Sequence, residues 1–187
     1  DLLVMVGSNA AWTHPVLYQR IVESRKANPH KRIVVIDPRR TATTDVADLH
    51  LQIAPGSDAF LFVGLLNQLH SSGRLDHRYI EAHTQGFEDA VTAATAMTSA
   101  QVAASTGLDL QQLEQFYRWF CDTEKVVTFY SQGINQSATG TDKCNAIINC
   151  HLATGRLGHA GMGPFSITGQ PNAMGGREVG GLASTLA

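Results

Sequence analysis

Residues 1–9 read Asp-Leu-Leu-Val-Met-Val-Gly-Ser-Asn, and residues 32–40 read Arg-Ile-Val-Val-Ile-Asp-Pro-Arg-Arg. Each is a continuous apolar run of strand length, stopped by residues that break strands. Apolar runs without alternation mark strands buried on both faces, as in parallel sheets. Between the two runs Val16, Leu17, Ile21 and Val22 recur at helical spacing. Thr13 is placed to cap that helix and Pro15 to sit in its first turn. Arg25 and Lys26 fall where the carboxyl end of a helix dipole favours cations. Strand, helix and strand in this order make a βαβ unit with a right-handed crossover. The expected fold is α/β: a Rossmann-like open, mainly parallel sheet flanked by helices.

The reading extends outward from this unit. A third short strand is expected at 49–53, after which Pro55-Gly56 turns the chain. Ser57 or Asp58 then caps a helix carrying Leu61, Leu65, Leu66 and Leu69. Residues 76–121 are helical in character, with Asp76 and Asp109 as caps and Gly86 and Gly107 as breaks. Val126–Tyr130 reads as another strand, 131–140 as a polar loop, and 142–154 as a helix ended by Gly155. From there glycine recurs densely, which signals irregular backbone close to another segment or a ligand. The expected division is an α/β domain over 1–160 and a Gly-rich segment over 161–187 leading into a neighbouring domain.

Composition narrows the functional classes. The 187 residues suffice for one full core. With 43% hydrophobic and 16% charged residues the chain is globular rather than disordered. A net charge of -2 provides no electrostatic footprint for nucleic acid. The apolar runs are too short to cross a bilayer, and no basic leader precedes them, so a cytoplasmic protein without membrane contact is expected. The chain opens directly on a core strand, as expected of an internal piece of a longer protein. Cys121, Cys144 and Cys150 form no CxxC pair and read as reduced, buried thiols. The eight histidines show no metal spacing, so no metal ligand is expected among these residues. His151, Trp12 and Trp119 read as packing residues.

Five segments could carry chemistry. Gly7-Ser8-Asn9 follows the first strand and precedes a helix, where free backbone N–H groups favour phosphate; it is not GxGxxG, and a plain turn would look the same. Asp37 ends the next strand and can accept hydrogen bonds from ribose hydroxyls or a base edge, or simply close the strand. Arg39 and Arg40 follow it and can reach phosphates or stack on a base. In Pro55-Gly56-Ser57-Asp58, Asp58 is either a helix cap or a carboxylate for the N–H edge of guanine. Gly133-Ile134-Asn135-Gln136 joins the same edge of the sheet if its strand is parallel. In the stretch 168–178, Gly169 and Gln170 suit a polar heterocycle, and Arg177 can hold an oxyanion or pair with Glu178.

The order Gly7-Ser8-Asn9, His14-Pro15, Ile36-Asp37-Pro38-Arg39, Pro55-Gly56-Ser57-Asp58, Gly133-Ile134-Asn135-Gln136 and Thr154-Gly155-Arg156-Leu157-Gly158 resembles the molybdopterin oxidoreductase family of the dimethyl sulfoxide reductase type. The resemblance covers essentially the whole chain. The closing stretch from Gly163 to Gly180 is similar to the assimilatory nitrate reductase branch, and Thr168 stands where formate dehydrogenases of the family carry Arg. The resemblance implies molybdenum bis(molybdopterin guanine dinucleotide), with one dinucleotide on this domain. Gly7, Ser8 and Asn9 would then meet its phosphates, and Asp37, Asp58 and Arg39 its ribose and guanine. Gly56, Gly133, Asn135 and Gln136 would line the same ligand. Gly169, Gln170, Met174 and Arg177 would approach the pterin and the substrate pocket, with Arg177 the candidate contact for nitrate. The same resemblance implies a [4Fe-4S] cluster whose ligands are not in this chain, and an electron donor protein or reductase subunit as partner. The piece alone would not turn over. Other readings are a periplasmic nitrate reductase or formate dehydrogenase of the family, or a non-catalytic nucleotide-binding module. The missing GxGxxG weighs against a nicotinamide-dependent dehydrogenase.

Overall fold

In the computed structural model, which describes residues 1–167, each of the long apolar runs is a strand. β1 (Leu2–Val6), β2 (Arg32–Ile36), β3 (Leu49–Leu51), β4 (Val126–Tyr130) and β5 (Gly163–Ser166) form one sheet in the order β3-β2-β1-β4-β5, and every adjacent pair is parallel. β1 lies in the middle, with Val6 level with Ile36 on one side and Tyr130 on the other. The helices α1 (Ala10–Thr13) and α2 (Pro15–Ala27) connect β1 to β2, and a short 3-10 turn, Ala42–Val46, precedes β3. Five helices separate β3 from β4: α3 (Asp58–Ser71), α4 (His77–His83), α5 (Phe87–Thr95), α6 (Ser99–Thr106) and α7 (Leu110–Asp122). Then α8 (Gln132–Asn135) and α9 (Gly140–Ala153) lead to β5.

Side chains alternate across the sheet, so each face has its own core. Val4, Val6, Val34, Ile36, Val126 and Tyr130 join the larger cluster with α3, α7 and α9. Met5, Ile33, Val35 and Phe129 face the other way, where Ala10 of α1 and Ile21 of α2 cover them. Helix α3 is the central helix of the thicker layer and buries Leu61, Phe62, Leu65, Leu66 and Leu69. Full burial of such side chains contributes about 1.5–3 kcal/mol each. Gly64 lets α3 pack closely: a Cβ there would lie 2.5 Å from Val102 Cγ2 and 2.6 Å from the Tyr117 hydroxyl. That hydroxyl donates to Leu61 O at 2.7 Å.

Local signals account for most helix ends. Asp76 accepts from the Tyr79 N–H, and Asp109 from the Gln111 and Gln112 N–H groups. Gly86 and Gly107 adopt left-handed backbone at φ 71° and 72°. Several expectations need correction. The helix expected from Thr13 starts at Pro15 with His14 before it, and Thr13 closes a separate short helix. Ser57 precedes α3 but its hydroxyl donates to Ala54 O instead of capping. β3 ends at Leu51, two residues short of the expected strand. The expected loop at 131–140 contains α8, and α9 begins at Gly140. β5 lies inside the stretch read as a Gly-rich tail, so the sheet runs past residue 160. Trp12, read as a packing residue, is 77% exposed, and Val16, placed on the apolar face by periodicity, is 71% exposed. Cys150 is buried, but Cys121 and Cys144 are only partly so.

His151 is fully buried in α9, where Nε2 meets the Thr128 hydroxyl at 2.9 Å and the ring packs edge-on against Phe120. Burial, aided by the nearby Arg156 guanidinium, lowers its pKa from the ordinary 6.5 to about 3. The folded protein therefore keeps this ring neutral, while the unfolded chain takes up a proton below pH 6.5. Its stabilising contribution is complete above that value and is lost progressively as pH falls toward 3. Between pH 7.5 and pH 5 the loss is about 2 kcal/mol from this group. Urea unfolding of His151→Gln should show a correspondingly smaller stability difference between those two pH values than wild type.

Candidate functional site

The loops after β1, β2, β3 and β4 all leave the carboxyl edge of the sheet, and they enclose one cleft of about 350 Å³. The chain winds outward from β1 in both directions, through β2 to β3 on one side and to β4 and β5 on the other. The cleft opens at this reversal, the place where open α/β sheets bind ligands. Two glycines meet at its base. The Gly133 N–H donates to Gly7 O at 3.0 Å. A Cβ on Gly133 would lie 2.7 Å from Gly7 Cα, and a Cβ on Gly7 would lie 2.9 Å from the Gly133 backbone. Gly7 also takes a positive φ of 55°.

Above the glycines the β1 loop presents Ser8 and Asn9. Ser8 is 3% exposed, lines the cleft, and its hydroxyl has no hydrogen-bond partner among the described residues. Buried polar atoms are nearly always paired, so this hydroxyl is open to a partner that enters the cleft. Asn9 is held from behind: its Oδ1 accepts from the Thr43 hydroxyl at 2.9 Å, and Thr43 in turn accepts from the Ala11 N–H. Helix α1 is only four residues long. The turn therefore offers an anion local N–H groups and the Ser8 hydroxyl, without the dipole of a long helix behind them.

The opposite wall carries two buried carboxylates. Asp37 is 5% exposed, and its Oδ1 accepts from the Arg39 N–H at 2.8 Å. The Arg39 side chain is exposed, with Nε 3.8 Å from the same oxygen. Asp58 is 6% exposed at the start of α3. Its Oδ2 lies 2.8 Å from the Lys143 ammonium, and Lys143 is itself 3% exposed on α9. Gly56, at φ 88° with open space where a Cβ would stand, completes the turn between them.

The structure thus brings Gly7, Ser8, Asn9, Asp37, Arg39, Gly56, Asp58 and Gly133 to one cleft. Asn135, at the end of α8, and Gln136, just after it, are exposed and are not among its lining. Gly169, Gln170, Met174 and Arg177 lie outside the described residues. Sequence reasoning missed Thr13, Ser131 and Gln132, which also line the cleft, and Lys143 behind it. Their positions next to marked loops were the only signal for the first three. Another hollow of about 390 Å³ lies among α3, α6 and α7, where Arg74 and Asp122 are already paired with each other at 2.7 Å. Among the described residues no cluster of His, Cys, Asp and Glu could hold a metal ion, and no helix is long and apolar enough to cross a membrane.

The sequence model described as Molybdopterin oxidoreductase matches residues 1–186. The chain belongs to that family. A protein named nitrate reductase from Klebsiella oxytoca is 58% identical over 187 residues, all of this chain and 21% of the relative. An assimilatory nitrate reductase from Haloferax mediterranei is 39% identical over 171 residues, 91% of this chain and 23% of the relative. The chain therefore spans less than a quarter of the length of these two relatives. Among solved structures, acetylene hydratase from Pelobacter acetylenicus aligns with a TM-score of 0.65 at 24% identity, covering 86% of this chain and 22% of that one, and so shares the fold. Family membership brings a molybdenum–pterin cofactor to the parent protein. The residues present fit a group with an anionic part and hydroxyl or N–H donors: the Gly7 turn and the Ser8 hydroxyl, without a partner among the described residues, can meet the first, and the two buried carboxylates can accept from the second.

The glycine contact makes a direct prediction. Gly133→Ala must push two backbones apart, and overpacking of this kind costs about 1–3 kcal/mol. Urea unfolding should show that loss, whereas Gly73→Ala, at a positive φ of 66° with nothing within 4 Å, tests the backbone strain alone and should cost less.

Proposed function

We propose that this chain is the part of a molybdenum nitrate reductase that holds one guanine dinucleotide arm of its cofactor. The observation that carries the reading is the convergence of four loops on one cleft whose buried Ser8 hydroxyl has no partner among the described residues. In this reading Gly7, Ser8 and Asn9 receive the diphosphate, Asp37 with Arg39 holds the ribose, and Asp58 accepts from the guanine edge. The two carboxylates repel phosphate, so the anionic part of the ligand is confined to the Ser8 end of the cleft and the hydroxyls and base to the other. Gly133 lets the ligand approach the floor closely. When bound, the molybdenum–pterin group supplies oxygen-atom transfer from nitrate, leaving nitrite.

The chain's own contribution is binding and orientation. Gly169, Gln170, Met174 and Arg177 are proposed to extend the site toward the pterin and nitrate, with the planar Arg177 fork suited to an oxyanion. Nitrate is favoured over formate by Thr168 and by the relatives named nitrate reductases. The [4Fe-4S] cluster, its ligands and the contact with an electron donor protein or reductase subunit are assigned to other parts of the parent protein. The parent is proposed to work in the cytoplasm.

Two measurements on the full-length protein test this. Asp37→Ala with Asp58→Ala should lower molybdenum content and the guanine nucleotide released on acid hydrolysis at least about tenfold, since each change removes a charged hydrogen bond. Circular dichroism should remain that of wild type. Unchanged cofactor content would remove both carboxylates from the site. Arg177→Lys should lower nitrate turnover roughly tenfold with molybdenum intact, because an ammonium cannot replace a bidentate fork; unaltered kinetics would exclude Arg177.

A further inference from the structure

Lys143 is unaccounted for by anything above. It is 3% exposed in the middle of a folded layer, a rare situation for lysine. Its ammonium lies 2.8 Å from Asp58 Oδ2, across the contact between α9 and α3. It is not among the residues that line the cleft, whereas Asp58 is. Asp58 thus meets the cleft on one side and the Lys143 ammonium, through Oδ2, on the other.

A purely structural role explains this poorly. The α3–α9 contact is already secured within one apolar cluster by Leu65, Leu66, Ile147 and Cys150, and the Cys150 thiol donates to Phe62 O at 3.2 Å. Burying two charges forfeits their hydration, and an apolar pair of similar volume is often no less stable. What an apolar pair cannot do is present a fixed, ionised acceptor at the wall of a cleft. Without a compensating cation, a carboxylate so deeply buried would stand uncompensated and free to turn.

We infer that Lys143 is the positioning residue for Asp58, orienting its carboxylate to recognise a purine that carries a 2-amino group. This rests on the reading of the cleft as a guanine nucleotide site. The ammonium backs the carboxylate, so the base is met by an oriented acceptor. Hypoxanthine keeps the N1–H but lacks the 2-amino donor, so it offers the carboxylate one N–H where guanine offers two. Selectivity between bases, rather than overall grip on the phosphates, is the property that Lys143 controls.

The test uses cofactor-free full-length protein titrated calorimetrically with GDP and with IDP, which differ only in the 2-amino group. Wild type should prefer GDP by about tenfold or more, the scale expected when a buried polar group loses its partner. Lys143→Met and Asp58→Asn should each bring the ratio close to one. The double variant should fall no further, because both changes act through the same carboxylate. A merely structural lysine would lower both affinities together and leave the ratio alone. If Lys143→Met keeps the wild-type ratio while Asp58→Asn loses it, the positioning role is wrong and the cleft reading stands. If wild type binds neither nucleotide, or both equally, the cleft reading fails and this inference with it. Should Lys143→Met not fold, Lys143→Gln is read by the same ratio, since it removes the charge behind Asp58 while keeping a polar group there. A ratio below wild type supports the role, and an unchanged one overturns it.

Discussion

The backbone contact between Gly7 and Gly133 is the constraint on which the rest of the site depends. These residues follow β1 and β4, the two strands between which the sheet changes its winding direction. The hydrogen bond from the Gly133 N–H to Gly7 O joins the two loops just past the sheet, and neither position has room for a Cβ. With the loops so close, the β4 loop becomes the floor beneath the turn that carries Ser8. The β2 and β3 loops then stand opposite, across the gap that the reversal leaves open.

Electrostatics divide that gap into two ends. Asp37 and Asp58 are both buried in one wall, and the nearest cations deal with them differently. Arg39 stays at the exposed rim, donating through its backbone to Asp37, while Lys143 meets Asp58 from inside the protein. Arg39 lines the cleft, whereas Lys143 does not. In the proposed reading, a ligand with a charged phosphate end and a neutral, donor-rich end takes one orientation, set by this charge distribution.

Much of this could be read from the residues alone, for identifiable reasons. β1, β2 and β4 are buried on both faces, so each is an unbroken apolar run that a sequence announces. Asp76 and Asp109 act through neighbours two or three residues away, which makes them legible as caps. The cleft loops were legible because strand ends in a parallel sheet must fall on one edge. β5 was not: Gly-Pro-Phe-Ser at a sheet edge carries no apolar run, and only the ladder to β4 defines it. Lys143 was hidden because its partner is 85 positions away in sequence. Val16 shows the limit of periodicity, which marks a residue as apolar without saying what lies opposite it.

The most direct test of the account is a crystal structure of the full-length protein with its cofactor bound. The account predicts a guanine dinucleotide in the cleft, its diphosphate accepting from the Ser8 hydroxyl above the Gly7–Gly133 floor and its base against Asp58. A nucleotide seated elsewhere, or one reversed so that its phosphates face Asp37 and Asp58, would contradict it.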